Sequence, residues 1–323
     1  MPKKGKNMKK TLKIIGRILL GLLSAGLALI ACTFIFNKIM LPSDRKLIDN
    51  QQISQMVEVE SKKMSLYVSG EGDHTLIFLA GSGATAPVLD FIPFANCFEN
   101  SCRIVIAEKF GYGFSDEYEG SRDVDTRVRQ YRQALKASGV EGPYILCPHS
   151  YSGLESIYWA QNYPEEVEAI IGLDMAVPRA YDSFDEKIIS DIKTNNSFKR
   201  TLNNLGIARL MVGGFLPKDE PAEVRALIKS VILRGYCNKT MSAESDYIFS
   251  DIKALDSKPV PDVPTLLIVS DGTVAEGWID FQKDYASELT DASTLFLTCG
   301  HSVYNLEPEA CEKAMREFIE HLK

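Results

Sequence analysis

At 323 residues the chain is long enough for one large domain with an insertion, and its 45% hydrophobic and 24% charged content are ordinary for a globular protein. The formal charge of −7 is unevenly spread: the first seventeen residues carry seven basic side chains and no acid, which leaves −14 on the remainder. An acidic body repels phosphate backbones and excludes nucleic acid as a partner.

The basic tail, 1–17, runs directly into Ile18–Phe36, nineteen residues without a charge. At about 1.5 Å per residue this run reaches ~28 Å, close to the hydrocarbon thickness of a bilayer. The pattern predicts a single-pass helix over 18–36, the basic flank cytoplasmic and the body outside the cytoplasm. Two alternatives stay open. A cleaved signal peptide has a shorter apolar region. A lipoprotein box, Leu29-Ile30-Ala31-Cys32, would normally lead into polar residues, whereas Thr33-Phe34-Ile35-Phe36 continues apolar.

Beyond the anchor, Met56–Gly70 alternates apolar and polar residues, as an antiparallel hairpin at a sheet edge does. Short continuous apolar runs then follow at 75–80, 103–107, 144–147, 169–173, 265–269 and 294–297. Runs of this kind suit parallel strands covered on both faces. Helical patterns lie between them, at about 85–99, 121–138, 152–163, 277–289 and 306–322. Alternation of this sort predicts a doubly wound, mostly parallel α/β sheet.

One interval breaks the rhythm. From Pro178 to Pro264 no strand pattern appears, only helical segments with turns at Gly213-Gly214 and Pro217. The expected organisation is therefore a core over 46–177, a helical cap over 178–260 and a second core segment over 261–323. Leu210, Met211, Phe215 and Leu216 are expected either to line a substrate pocket or to pack the cap onto the core. Six of the seven cysteines follow the apolar run, and Cys97 and Cys102 are the best placed to pair. No CxxC motif or Cys/His grouping points to a metal.

The chemistry concentrates in Tyr144-Ile145-Leu146-Cys147-Pro148-His149-Ser150-Tyr151-Ser152-Gly153. A buried strand ends, a serine follows at once, and a helix begins. That is the context of a nucleophile elbow, in which a strained turn exposes the serine hydroxyl at a helix N-terminus. An ordinary helix cap is the bland reading of Ser150. His149 is read as support for the turn, and His74 and His321 as surface residues.

Together these features resemble the α/β-hydrolase superfamily, in its group of single-chain esterases, lipases and peptidases with a cap between the sixth and seventh strands. The resemblance covers roughly residues 56–323. Pro148-His149-Ser150-Tyr151-Ser152-Gly153 is similar to the family's GHSxGG elbow, with Pro148 and Ser152 where glycine is usual. Glu108-Lys109-Phe110-Gly111-Tyr112-Gly113-Phe114-Ser115-Asp116 resembles its D-x-x-G-x-G-x-S-D segment, with Glu108 in place of the aspartate.

The resemblance implies Ser150 as nucleophile and His301, just past the last strand, as its base. Asp271, in the loop after the strand at 265–269, ranks first as the orienting acid, Asp174 is the competitor and Glu276 stands behind both. Tyr151 and Ser82 would supply the oxyanion-hole N–H groups. The implied activity is hydrolysis of an ester or amide of a small molecule, lipid or peptide through an acyl-enzyme, without a cofactor or metal. Two rivals remain: a non-enzymatic, membrane-tethered binding domain, and a lyase built from the same residues.

Overall fold

The computed structural model describes residues 3–216 and 220–322. Helix α1 (Lys3–Asp49) is one unbroken helix. Over the predicted spanning run its side chains are mostly apolar and all exposed except Thr33, as on a helix made for an apolar surrounding.

An eight-stranded sheet follows: β1 (Gln55–Val59), β2 (Lys62–Ser69), β3 (His74–Leu79), β4 (Cys102–Glu108), β5 (Tyr144–Pro148), β6 (Val167–Leu173), β7 (Thr265–Val269) and β8 (Ala292–Phe296). The spatial order is β1-β2-β4-β3-β5-β6-β7-β8. The first two strands form the expected antiparallel hairpin, closed by Glu60 and Ser61, both at positive φ as a two-residue turn demands. β2 also runs antiparallel to β4, and every later neighbour is parallel.

Packing explains why the parallel strands read as continuous apolar runs. In β4, Ile104 and Ile106 face one core and Val105 faces the other, and all three are fully buried. Helices α2 (Pro87–Ala95), α3 (Val124–Ala137), α4 (Ser152–Asn162), α10 (Trp278–Glu288) and α12 (Pro308–His321) contribute to those cores. Burying each such aliphatic side chain contributes roughly 1.5–3 kcal/mol.

Between β6 and β7 the described residues form helices and no strand: α5 (Glu186–Asn204), α6 (Ile207–Val212), α7 (Ala222–Gly235), α8 (Lys239–Ala243) and α9 (Ile248–Asp256), with short 3₁₀ turns; α11 (Val303–Leu306) precedes α12. Leu210 and Met211 neither line a pocket nor pack inward, because both point to the outside of α6. Leu216 is buried, whereas the side chain of Phe215 and the turn at Pro217 lie outside the described residues.

Helix α1 continues past residue 36 and packs onto this insertion. Thr33 and Asn37 are buried, and Gly206 sits so close to Thr33 that a Cβ there would lie 2.3 Å from the Thr33 carbonyl oxygen. Asn37 accepts from Arg209 Nε at 3.0 Å and donates to the Asn203 carbonyl at 3.3 Å. Arg209 pairs with Asp44, which also accepts from Ser230 Oγ at 3.1 Å. A domain beginning at residue 46 would lose all these partners. All seven cysteines are free; Cys97 is exposed and Cys102 buried, so the expected pairing is absent.

Candidate active site

β5 ends at Pro148, whose missing N–H is harmless at a strand end. The next N–H, of His149, donates to the Leu79 carbonyl at 2.9 Å and carries the elbow toward β3. Ser150 then adopts φ +55°, a left-handed conformation that costs a non-glycine residue ~1–2 kcal/mol. Hydrogen bonds hold it there: the Ser150 carbonyl accepts from Gly153 N at 2.9 Å and Ala176 N at 2.8 Å.

Ser152, anticipated only as a compact residue, also braces the turn. Its hydroxyl lies 2.7 Å from the Leu79 carbonyl and 2.8 Å from that of His149, and one proton serves both. The tight position is the next one, where a Cβ on Gly153 would stand 2.2 Å from the Ala176 carbonyl oxygen.

His301 lies in the loop after β8, half-buried. Its Nδ1 is 2.6 Å from Asp174 Oδ2. A carboxylate only accepts, so Nδ1 carries a proton, and in the neutral imidazole Nε2 is then the nitrogen with the lone pair. Asp174 follows β6 at φ +50° and is buried. Its other oxygen accepts from Ser270 N and from Trp278 Nε1, each at 2.8 Å.

The sequence ranking is thereby reversed. Asp271 is exposed and turns to its own loop, accepting from Thr273 N at 3.0 Å and Thr273 Oγ1 at 2.7 Å. Glu276 is exposed as well. Trp278, whose indole fixes Asp174, was not singled out from the sequence; nothing in its local pattern separates it from an ordinary helix residue.

His149 packs between His301 and Tyr304, tilted against the first ring and edge-on to the second. Its ring lies 4.5 Å from that of His301 and 5.3 Å from that of Tyr304, and its Nε2 donates to the His301 carbonyl at 3.2 Å. Burial, helped by the nearby His301, pushes its pKa down to about 4. The neutral ring is thus a brace for the His301 loop. An unfolded histidine titrates near 6.5, so the unfolded chain binds this proton first as pH falls. Stability should therefore drop between pH 6.5 and about 4, by up to about 3 kcal/mol from this residue. Thermal melts of wild type and His149→Gln across pH 7 to 4 check this: the gap between the two should change through that window, and a constant gap would refute it.

The loop after β3 approaches the serine from the other side. A Cβ on Gly81 would fall 2.6 Å from Ser150 Cβ, so only glycine fits. Ser82 is exposed beside it, and Tyr151 opens α4. Among the described residues neither backbone N–H has an internal acceptor, which leaves both for a ligand.

The Glu108 segment is structural. Its carboxylate accepts from Val88 N at 2.9 Å and Phe114 N at 2.7 Å, and Gly113, at φ +50°, leaves no space for a Cβ against it. Burial raises the Glu108 pKa to about 7 against these two donors.

Behind the elbow lies a buried charge network. Lys109 Nζ and Arg127 Nε meet Glu155 at 2.9 and 2.7 Å, and Arg127 also reaches Asp251 at 2.9 Å. Glu244 takes Arg122 at 2.9 Å and Lys109 at 3.3 Å. Burial alone would raise the Glu244 pKa, but Lys109, Arg122 and Arg127 outweigh it and hold the carboxyl well below the usual range. The network touches both loops that flank Ser150: Tyr151 Oη donates to Asp251 at 2.9 Å, and Tyr112 Oη donates to Glu244 at 2.7 Å while accepting from Gly83 N at 3.4 Å. Among the described residues no group of three or more His, Cys, Asp or Glu side chains is placed to hold a metal.

Several solved structures share this architecture. An epoxide hydrolase from Bacillus megaterium superposes with a TM-score of 0.63 at 19% identity, covering 82% of this chain and 100% of its own. A Nostoc sp. PCC 7120 protein described as an α/β hydrolase gives 0.62 at 16%, covering 85% and 99%. The chain has the α/β-hydrolase fold. Within that fold, a membrane phospholipase A described as a bacterial virulence factor matches at 0.61 and 19% identity over 97% of this chain and 99% of its own. Since α1 is 47 of the 323 residues, a 97% match takes in most of that helix. By sequence, the uncharacterised protein YbdG of Bacillus subtilis is 29% identical over 97% of this chain and 99% of its own. No family model matches.

Proposed function

We propose that the chain is a membrane-anchored serine hydrolase acting on an ester of a lipid or small molecule. The Asp174–His301 pair at 2.6 Å, together with a serine held at positive φ in the turn between β5 and α4, carries this reading. His301 Nε2 takes the Ser150 proton as Oγ attacks the substrate carbonyl, and Asp174 holds the Nδ1–H and stabilises the imidazolium. Tyr151 and Ser82 N–H groups receive the oxyanion, helped by the N-terminus of α4. His301 then protonates the leaving alcohol, and water, activated by the same histidine, hydrolyses the acyl-enzyme. The released groups are an acid and an alcohol.

Anchoring through residues 18–36, with the body outside the cytoplasm, is supported by the basic tail and the exposed apolar helix. The likeness to a membrane phospholipase over 97% of the chain, most of α1 included, favours a lipid ester over a peptide.

A fluorophosphonate probe tests the chemistry, since it reacts with a serine activated by a base near oxyanion donors. The full-length protein should label once, at Ser150. Ser150→Ala should abolish labelling and hydrolysis, and His301→Ala should slow both by several powers of ten. A folded wild type that fails to label would favour the binding-domain rival.

A further inference from the structure

Helix α6 has two unlike faces. Ala208, Arg209 and Val212 are buried against the rest of the insertion and α1, whereas Leu210 and Met211 are 62% and 61% exposed. Water would favour polar residues there, and the two glycines that follow, Gly213 and Gly214, have open space around them.

The helix has a defined height along α1. Gly206, its N-cap, lies against the carbonyl of Thr33, within the uncharged run 18–36. Thr33 is three residues short of the end of that run, so this contact falls ~5 Å inside the apolar slab. The polar partners climb the other way: Arg209 binds Asn37, the first polar residue beyond the run, and then Asp44, two turns further out. Interfacial helices characteristically sink ~5–10 Å into the headgroup and acyl boundary.

We propose that α6 is a second membrane contact, lying in the outer leaflet of the lipid bilayer with Leu210 and Met211 among the upper acyl chains. The inference rests on α1 spanning the membrane and is independent of any chemistry at Ser150. It makes the insertion a two-point attachment, with α1 across the bilayer and α6 along its surface.

Tryptophan fluorescence tests it cleanly. The chain has two tryptophans, Trp159 and Trp278, and both are buried. Full-length Met211→Trp and Leu210→Trp, each reconstituted into phosphatidylcholine–phosphatidylglycerol vesicles, should gain a blue-shifted emission. Lipids brominated on the acyl chains should quench most of the added signal. Lys136→Trp, at the exposed end of α3, should gain a red emission that the same lipids leave intact. Protein that floats with the vesicles but shows no quenching at 210 or 211 would overturn the proposal while leaving the anchor in place. A concentration-dependent blue shift without quenching would instead assign the face to a second copy of the chain. Failure to float would remove the premise, and a normally labelled Ser150 in that sample would show that the hydrolase reading survives.

Discussion

Asp174→Asn should lower kcat by roughly 10³–10⁴-fold with little loss of stability, while Asp271→Asn stays near wild type. The amide can keep its oxygen toward Ser270 N and Trp278 Nε1, the two donors that Asp174 Oδ1 now satisfies. Its NH₂ then faces His301 Nδ1, where Asp174 Oδ2 stands at 2.6 Å. A donor in that place drives the imidazole proton onto Nε2, and a protonated Nε2 cannot accept from Ser150. Asp271 has no such lever, since its bonds close within its own turn. Turnover of a p-nitrophenyl ester, with a thermal melt alongside, decides between them. A larger loss in Asp271→Asn than in Asp174→Asn would return the acid to the loop after β7.

Gly81→Ala should reduce kcat/KM by about 10²–10³-fold, the scale of losing one oxyanion donor. The added methyl would stand 2.6 Å from Ser150 Cβ, 3.0 Å from the His149 carbonyl oxygen and 3.2 Å from Ser150 Oγ. Those atoms belong to the hydrogen-bonded elbow and cannot swing aside, so the loop carrying Ser82 must move away. Overpacking of this kind also costs about 1–3 kcal/mol. Gly83→Ala is the contrast: its φ of +83° strains any side chain, but nothing lies within 4 Å of the new Cβ. It should lose stability with a much smaller effect on kcat/KM. Equal activity losses in the two variants would mean that general loop strain, and not crowding of Ser150, controls the rate.

The contrast between Asp174 and Asp271 shows where sequence reading stops. Strands buried on both faces announce themselves as apolar runs, and a serine between such a run and a helix announces the elbow. Both acids, however, stand within two residues of the end of a sheet strand. What separates them is a local competitor: in Asp271-Gly272-Thr273 the side chain has a backbone partner two residues on, a turn pattern present in the sequence but outweighed by the usual placement of the acid. Asp174 finds its partners 96 and 104 residues away, at Ser270 and Trp278, which no local pattern displays. The same holds for Lys109, Arg122, Arg127 and Glu155. Lys109, Arg122 and Arg127 meet Glu244 or Asp251, which arrive only with the insertion, and Glu155 meets Lys109 and Arg127 from other elements. Helix α1 was legible as an apolar run, but its continuation into contact with Arg209 was not.

That buried network bears on cooperativity. Three cations and three carboxylates lie out of water, drawn from the loop after β4, from α3, from α4 and from two elements of the insertion. Detaching the insertion would withdraw Glu244 and Asp251 together, taking from Arg122 its Glu244 partner and leaving Arg127 with Glu155 alone. Breaking even one such pair costs about 3–5 kcal/mol, a large share of a typical folding free energy. Opening the insertion alone is therefore costly, and the insertion should melt together with the sheet in one transition. Because the pairs are buried, added salt screens them little. The hydroxyls of Tyr112 and Tyr151 tie the floor of the active site into that same cooperative block.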